Sequence, residues 1–462
     1  MLTPPNGRRA GRSSFLARTG AFRLWLVVGL AGLGLLLATP SLLSAWRVNI
    51  AGLTLNRQLH SGDRSLLAEA LALLGDPGGP HDPSFWRTYG AAAARLPSEE
   101  AFMRLKAARD RGELDRVGHL WLGEVAAATN HWEEAQDAYK RIDAVNLLVE
   151  RGDTALKAGK KDVAKNWYGV AAASLRAAVK RDSRRSSIDQ APTAGADPGG
   201  DGLPAPGTRA VTLLRIGRGF LALGSPEAAV PVLEMAVTEM RADPPGVREQ
   251  QTILFAMAQA LAKNELPKDK RSRIVEPAIV RPADSVAAKT EARIRDLLAE
   301  AVELDGTGWA ELQAGQVLAL IGDRPGAMLR LHAAIRLDPR LPDAYLILGS
   351  ILETASLTNL ARDSYEQGVD ALPNNASLQL ALALASYKTM TPEGALPVLE
   401  KVAGTPVRDP YLFAALGDTY LTLGRENDAI AAYREGLARS PGARPLLDRL
   451  RPFTGPLWRA RS

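Results

Sequence analysis

Residues 343–373 read DAYLILGSILETASLTNLARDSYEQGVDALP, and residues 411–441 read YLFAALGDTYLTLGRENDAIAAYREGLARSP. Between them lies a third copy, and the three start 34 residues apart. Leu348, Leu382 and Leu416 keep that interval, each followed by a small residue: Gly349, Ala383 and Gly417. The same step links Ala327, Ala361, Ala395 and Ala429, then Leu331, Tyr365, Leu399 and Tyr433, then Ala334, Gly368, Val402 and Gly436. Pro339, Pro373 and Pro441 close three units; the fourth has Pro406 beside the expected Val407. An unbroken period from Trp309 to Pro441 marks a repeat array, in which one helix pair cannot bury its apolar side without its neighbours.

Within the unit at 343–373, Tyr345, Leu348 and Leu352 recur at steps of three and four, the signature of one helix face. This is helix A, expected to end near Leu357 and Thr358. Gly349 is expected where a second helix backbone comes close. Helix B then carries Ala361, Tyr365, Gly368 and Val369 inward. Pro373 stops it, because proline lacks the N–H that another turn requires and disfavours helix at the preceding residue.

The length, the Leu-Gly pair, the small residue opening helix B, the aromatic one turn later and the closing proline resemble the tetratricopeptide repeat. Two units depart from it: the early aromatic of helix A is Tyr345 and Phe413 elsewhere but Glu311 and Gln379 here, with Trp309 a partial substitute for the first. The resemblance implies an all-α chain, an α-solenoid of helix pairs arranged in two arrays. It also implies a concave groove, lined by helix A residues, that takes a protein or peptide partner. Carried onto this chain, the groove candidates are Trp309 and Gln316; Asp343, Ser350 and Glu353; Leu384, Tyr387 and Lys388; and Tyr411, Asp418 and Thr422. Chaperone-tail-binding members use a Lys/Arg/Asn clamp in that groove, and sugar-nucleotide transferases an asparagine ladder; Gln316, Ser350, Leu384 and Asp418 supply neither.

Composition agrees with helix, since only 5% of residues are aromatic and alanine and leucine abound. The chain of 462 residues exceeds one compact domain, but a solenoid escapes that limit. Its net charge is +6. Arg8, Arg9, Arg12, Arg18 and Arg23 precede any acid, and without these five the remainder holds 52 basic against 51 acidic residues. A nucleic-acid partner thereby loses its main support. Cysteine is absent, which excludes disulfides and thiolate chemistry.

In chain order, residues 1–21 are expected to be a disordered cytoplasmic N-terminus. Residues 22–45 form a candidate transmembrane signal-anchor helix: Leu24 to Ala45 is 22 residues without a charge, about 33 Å of helix against a bilayer core of about 30 Å. Trp25 and Trp46 flank it as interfacial anchors. Five arginines before it and only Arg47 and Arg57 just after it predict an extracytoplasmic repeat array on a single-pass cell-membrane protein of bacterial type. The rival is a cleaved signal peptide with its cut after Ala45; the full uncharged length favours a retained anchor.

An N-terminal array is expected at 46–182, opening with Ala51, Gly52 and Leu55 and then Leu67, Ala68 and Leu71. Helix A features follow at Trp86, Tyr89 and Gly90, at Leu122 and Gly123, and at Gly152, with helix B tyrosines at Tyr139 and Tyr168. A flexible linker is expected at 183–207, rich in Arg, Ser, Asp, Gly and Pro. The C-terminal array should run over 208–441, with an insertion at about 265–286, and a capping helix and tail over 442–462.

No catalytic constellation emerges. His60, His81, His119, His131 and His332 are dispersed without metal or protease spacing. Gly217, Gly219 and Ala222 imitate a dinucleotide fingerprint, but they fall where helix A needs small residues. Glu99, Glu100, Glu133 and Glu134 open helix B, where carboxylates favour the positive helix end. The basic runs Lys180–Arg185 and Lys268–Arg273 are expected as solvated loops. The expectation is therefore a membrane-anchored, non-catalytic scaffold for protein partners, with no cofactor or metal. The alternative is an accessory subunit of a membrane enzyme for envelope polysaccharide assembly or export, and a third reading is an enzyme with an unrecognised site.

Overall fold

The computed structural model describes residues 40–75, 81–142, 144–186, 206–265 and 286–453. Among them it contains twenty-one α-helices, one 3-10 turn at Arg451–Phe453 and no strand. The chain divides into two compact units, up to Leu203 and from Pro204.

The first unit comprises α1 (Pro40–Ser61), α2 (Ser65–Leu74), α3 (Pro83–Arg95), α4 (Glu99–Asp110), α5 (Arg116–Ala128), α6 (Trp132–Lys140), α7 (Val145–Lys157) and α8 (Lys161–Ser186). The second begins with α9 (Pro206–Ala222), α10 (Pro226–Ala242), α11 (Val247–Glu265) and α12 (Val286–Leu304). It continues with the pairs α13 (Gly308–Leu320) and α14 (Arg324–Leu337), α15 (Pro342–Thr354) and α16 (Thr358–Ala371), α17 (Ala376–Thr389) and α18 (Pro392–Ala403), and α19 (Pro410–Thr422) and α20 (Glu426–Arg439). The short α21 (Arg444–Leu450) follows, with Leu446 and Leu450 buried.

Starts and stops follow local chemistry. Asp82, Ser98, Asp115, Thr307, Asp323, Asn375, Thr391 and Asp409 each accept a hydrogen bond from a backbone N–H in the first turn of the helix they precede, satisfying donors that the helix itself cannot. Pro339, Pro373 and Pro441 each sit two residues past a helix end.

One packing rule recurs in six pairs. A β-carbon built on Gly123, Gly152, Gly217, Gly315, Gly349 or Gly417 would strike the side chain sixteen residues on: Tyr139, Tyr168, Leu233, Leu331, Tyr365 or Tyr433, at 2.1–2.9 Å. The expectation that a helix backbone approaches Gly349 is thus corrected: the ring of Tyr365 occupies the vacancy. Helix B glycines obey a second rule, with Gly368 against Tyr345 and Leu378, and Gly436 against Phe413 and Leu446.

The turn inside each pair is equally regular. Seven residues after the helix A glycine the backbone has positive φ, at Asn130 (67°), Gly159 (73°), Gly224 (74°), Gly322 (84°), Ser356 (59°) and Gly424 (73°). Only glycine adopts this conformation without steric cost. Ser356→Gly is therefore expected to raise stability by about 1 kcal/mol, measured by urea denaturation. A decrease would show that the serine side chain contributes something glycine lacks.

Several expectations need correcting. Leu348 and Leu416 are buried but Leu382 is only half-buried, while Ala383 beside it is fully buried. Its unit lacks the positive-φ turn, since Met390 has φ −102°. Helix A of the 343–373 unit ends at Thr354, ahead of Leu357. In α2 the core residues are Leu67, Ala70 and Leu74, and Ala68 is exposed. Gly90 meets Trp121 of α5 where helix B was expected, because α4 follows α3 after a turn of only three residues.

The boundaries placed at 45/46 and at 183–207 also fall inside helices. α1 runs unbroken from Pro40 to Ser61, α8 continues to Ser186, and α9 starts at Pro206. Residues 180–185 thus lie within a helix and not in the expected loop. Residues 1–39 lie outside the described ones and with them most of the anchor candidate 22–45; so do 187–205, the basic run Lys268–Arg273 and the tail 454–462. No helix among the described residues is long and apolar enough to cross a membrane.

Candidate partner-binding groove

Helix A residues of two successive units, with Tyr365 of the helix B between them, line a groove across α15, α16 and α17. It has a volume of about 280 Å³ and is walled by Glu353, Tyr365, Ser377, Leu380, Ala381, Leu384 and Lys388. Three of the eleven candidates, Glu353, Leu384 and Lys388, come together here. Lys388 Nζ lies 3.1 Å from Glu353 Oε1, so the wall's two charges neutralise each other across adjacent units. Burial, with the Glu353 charge second, pushes the Tyr365 hydroxyl up to about 12. It therefore remains a neutral wall at ordinary pH. Tyr365, Ser377, Leu380 and Ala381 were not foreseen; Leu380 and Leu384 fall four apart on one helix, a spacing visible in sequence.

Three further candidates, Tyr387, Asp418 and Thr422, meet one unit along. Asp418 accepts from Tyr433 (2.7 Å), from Tyr387 (3.3 Å) and from the Arg449 guanidinium at both carboxylate oxygens (2.7 and 2.9 Å from Nε). Thr422 donates to the Asp418 carbonyl at 2.9 Å. Asp418 is thus committed inside the protein, fixing α19 to α20 and α21. Burial first and the Asp418 carboxylate second raise both tyrosine hydroxyls above their ordinary value. The same device occurs in the first unit, where Tyr168 donates to Asp153 at 2.7 Å. In both cases the acid directly follows the helix A glycine and the tyrosine lies fifteen residues on.

The remaining candidates divide. Trp309 packs inward against α11: its ring meets Phe255 edge-on at 5.5 Å and lies 3.1 Å under the Arg248 guanidinium. Gln316 is half-buried. Asp343, Ser350 and Tyr411 are exposed, Tyr411 by 61%. The surface therefore offers Leu380, Leu384, Tyr387 and Tyr411 as apolar contacts among paired charges.

Among the described residues no group of three His, Asp or Glu side chains converges. His81 and His131 stack on Phe85 and Phe102, each at 4.0 Å. Burial, followed by the charges of Arg141 and Arg109, lowers His119. Gly217 is filled by Leu233, as its place in a helix pair requires.

Comparison with known proteins locates one family match and several distant structural likenesses. No curated protein sequence matches the chain. Among solved structures, YrrB, described as a TPR protein with an unusual peptide-binding site, is 18% identical over 36% of this chain and 86% of its own, with a TM-score of 0.31. Pseudomonas aeruginosa pilF is 15% identical over 54% and 99%, TM-score 0.37. The C-terminal part of a TPR repeat-containing protein from Cytophaga hutchinsonii is 15% identical over 65% and 99%, TM-score 0.39. The family description "tetratricopeptide repeat" matches residues 411–442, the α19–α20 pair with its closing turn. The chain carries a tetratricopeptide repeat at 411–442, and the glycine-to-tyrosine packing of that repeat recurs at Gly123 with Tyr139, Gly152 with Tyr168 and Gly349 with Tyr365.

Proposed function

We propose that this protein is a non-catalytic scaffold, anchored in the cytoplasmic membrane by residues 24–45 with its array on the outer side, that holds an extended segment of a partner protein on the α15–α17 groove. The observation that carries the binding reading is the groove itself: Leu380, Leu384 and Tyr365 line a recess whose only charges, Glu353 and Lys388, are already paired. Such a wall favours apolar side chains and backbone hydrogen bonds over a free carboxylate. The anchoring reading is supported by the uncharged length of 24–45 and the five arginines that precede it.

A photoreactive residue at Leu384 in the full-length protein, in cells, tests the binding reading. A discrete crosslinked partner is expected, absent when the probe sits at Leu360 on the helix B surface. Equal yields from both positions would remove the groove from the proposal.

A further inference from the structure

α1 has two apolar faces, and the fold uses one of them. Ala51 and Leu55 are buried where the helix packs on α2 and α3. Trp46, Ile50, Leu53 and Arg57 follow at steps of four, three and four, which at 100° per residue makes a single stripe on the side opposite Leu55. Trp46 is 41% exposed and Leu53 is 65% exposed. An aligned tryptophan and leucine open to this degree leave an apolar strip that the described residues do not cover.

The surrounding chemistry selects a lipid surface. Residues 40–62 contain no acid, while exposed Arg57 ends the stripe and exposed Arg47 lies beside it. The first carboxylate, Asp63, is taken up by the backbone N–H and hydroxyl of Ser65, at 2.9 and 2.8 Å. A basic, apolar-striped helix is the form that lies in a headgroup layer, its apolar face about 5–10 Å deep, and tryptophan favours that layer.

Chain continuity places the stripe there. The anchor candidate ends at Ala45, and α1 passes through that point without a break. Trp46 is the next residue, and Leu53 lies about 12 Å farther along the helix than Ala45. The headgroup layer is only about 5–8 Å thick on each side. An upright helix would lift Leu53 into water, so burying the stripe requires the helix to lean.

We infer that the Trp46–Ile50–Leu53 stripe lies in the headgroup layer of the bilayer, so that α1 leans on the membrane and the first helix pair is held there rigidly, without a hinge. This rests on the anchoring proposed above.

The absence of cysteine allows single labels. In the full-length protein, L53C, L30C and E69C are each labelled with an environment-sensitive fluorophore and reconstituted into phosphatidylcholine–phosphatidylglycerol vesicles. Lipids carrying a quencher near the headgroup or deep in the acyl chain report position. The Leu53 label is expected to be blue-shifted and to lose most emission to the shallow quencher. The Glu69 label, on the exposed side of α2, should be unaffected. Deep quenching at Leu30 without quenching at Leu53 overturns the inference and leaves the anchor standing. No quenching at Leu30 removes the anchor and the inference together. A blue shift at Leu53 without quenching means that protein covers the stripe, which also overturns it.

Discussion

Replacing Gly417 by leucine is expected to destabilise the C-terminal helix pairs by about 3 kcal/mol or more, the upper end of overpacking costs. A β-carbon there would lie 2.1 Å from the Tyr433 ring, whereas carbon atoms rest at about 3.5–4.0 Å. The ring has nowhere to go: Tyr433 is fully buried, and its hydroxyl is held to Asp418 at 2.7 Å. Alanine tests the sign. In an open helix it gains about 1 kcal/mol over glycine, so at Gly417 the clash must exceed that gain for the variant to lose stability. Gly169 in α8, with nothing within 4 Å of its notional β-carbon, is the control, and G169A should be stabilising.

The chain already contains a compensated pair. At the same sixteen-residue interval Ala383 and Leu399 are both buried in one cluster. The double variant G417A/Y433L should therefore recover part of the loss of G417A, a non-additivity expected of touching residues. Urea denaturation followed by circular dichroism reads all of these. A G417L protein as stable as the parent would refute the packing rule.

That rule explains how much of the fold was legible. The 34-residue register in Leu348, Gly349, Tyr365 and Gly368 fixes helix type and pairing, because each position repeats the same steric demand. The positive-φ turn was legible too, once Asn130 and Ser356 are recognised as standing where Gly159, Gly224, Gly322 and Gly424 stand. The shallow burial of Leu382 was not. In that unit the turn at Met390 also differs, and neither departure leaves a periodic mark. Of the groove candidates, Glu353, Leu384 and Lys388 border one recess, but position in helix A could not separate facing outward from being free. Asp418 faces outward and is consumed by Arg449, thirty-one residues on. Trp309 is covered by Arg248 and Phe255 of α11, contacts that span a long stretch of sequence without a pattern. The linker limits at 183 and 207 fall just inside α8 and α9, because composition reports polarity and a helix terminus tolerates polar residues well.

Trp86→Ala is expected to be the most damaging truncation in the first unit, at about 3–5 kcal/mol. Trp86 is fully buried and lies edge-on to Phe85 at 5.1 Å and Tyr89 at 5.7 Å. Its Nε1 donates to Glu113 at 2.8 Å, tying α3 to the turn before α5. Glu113 is also held by Arg111, whose guanidinium keeps that carboxyl below its usual range. Glu113 therefore retains a partner after truncation, and most of the loss should come from the cavity. Trp86→Phe separates the two contributions: it preserves much of the ring and forfeits the hydrogen bond, worth about 1 kcal/mol net. In a stack where each pair touches only its neighbours, the damage should remain local. Hydrogen exchange in W86A should quicken through α3, α4 and α5, while α7 and α8, joined by Gly152 and Tyr168, keep most of their protection. Equal acceleration along the whole of the first unit would mean that it unfolds as one cooperative body, and nearest-neighbour stacking would then be the wrong physics for it.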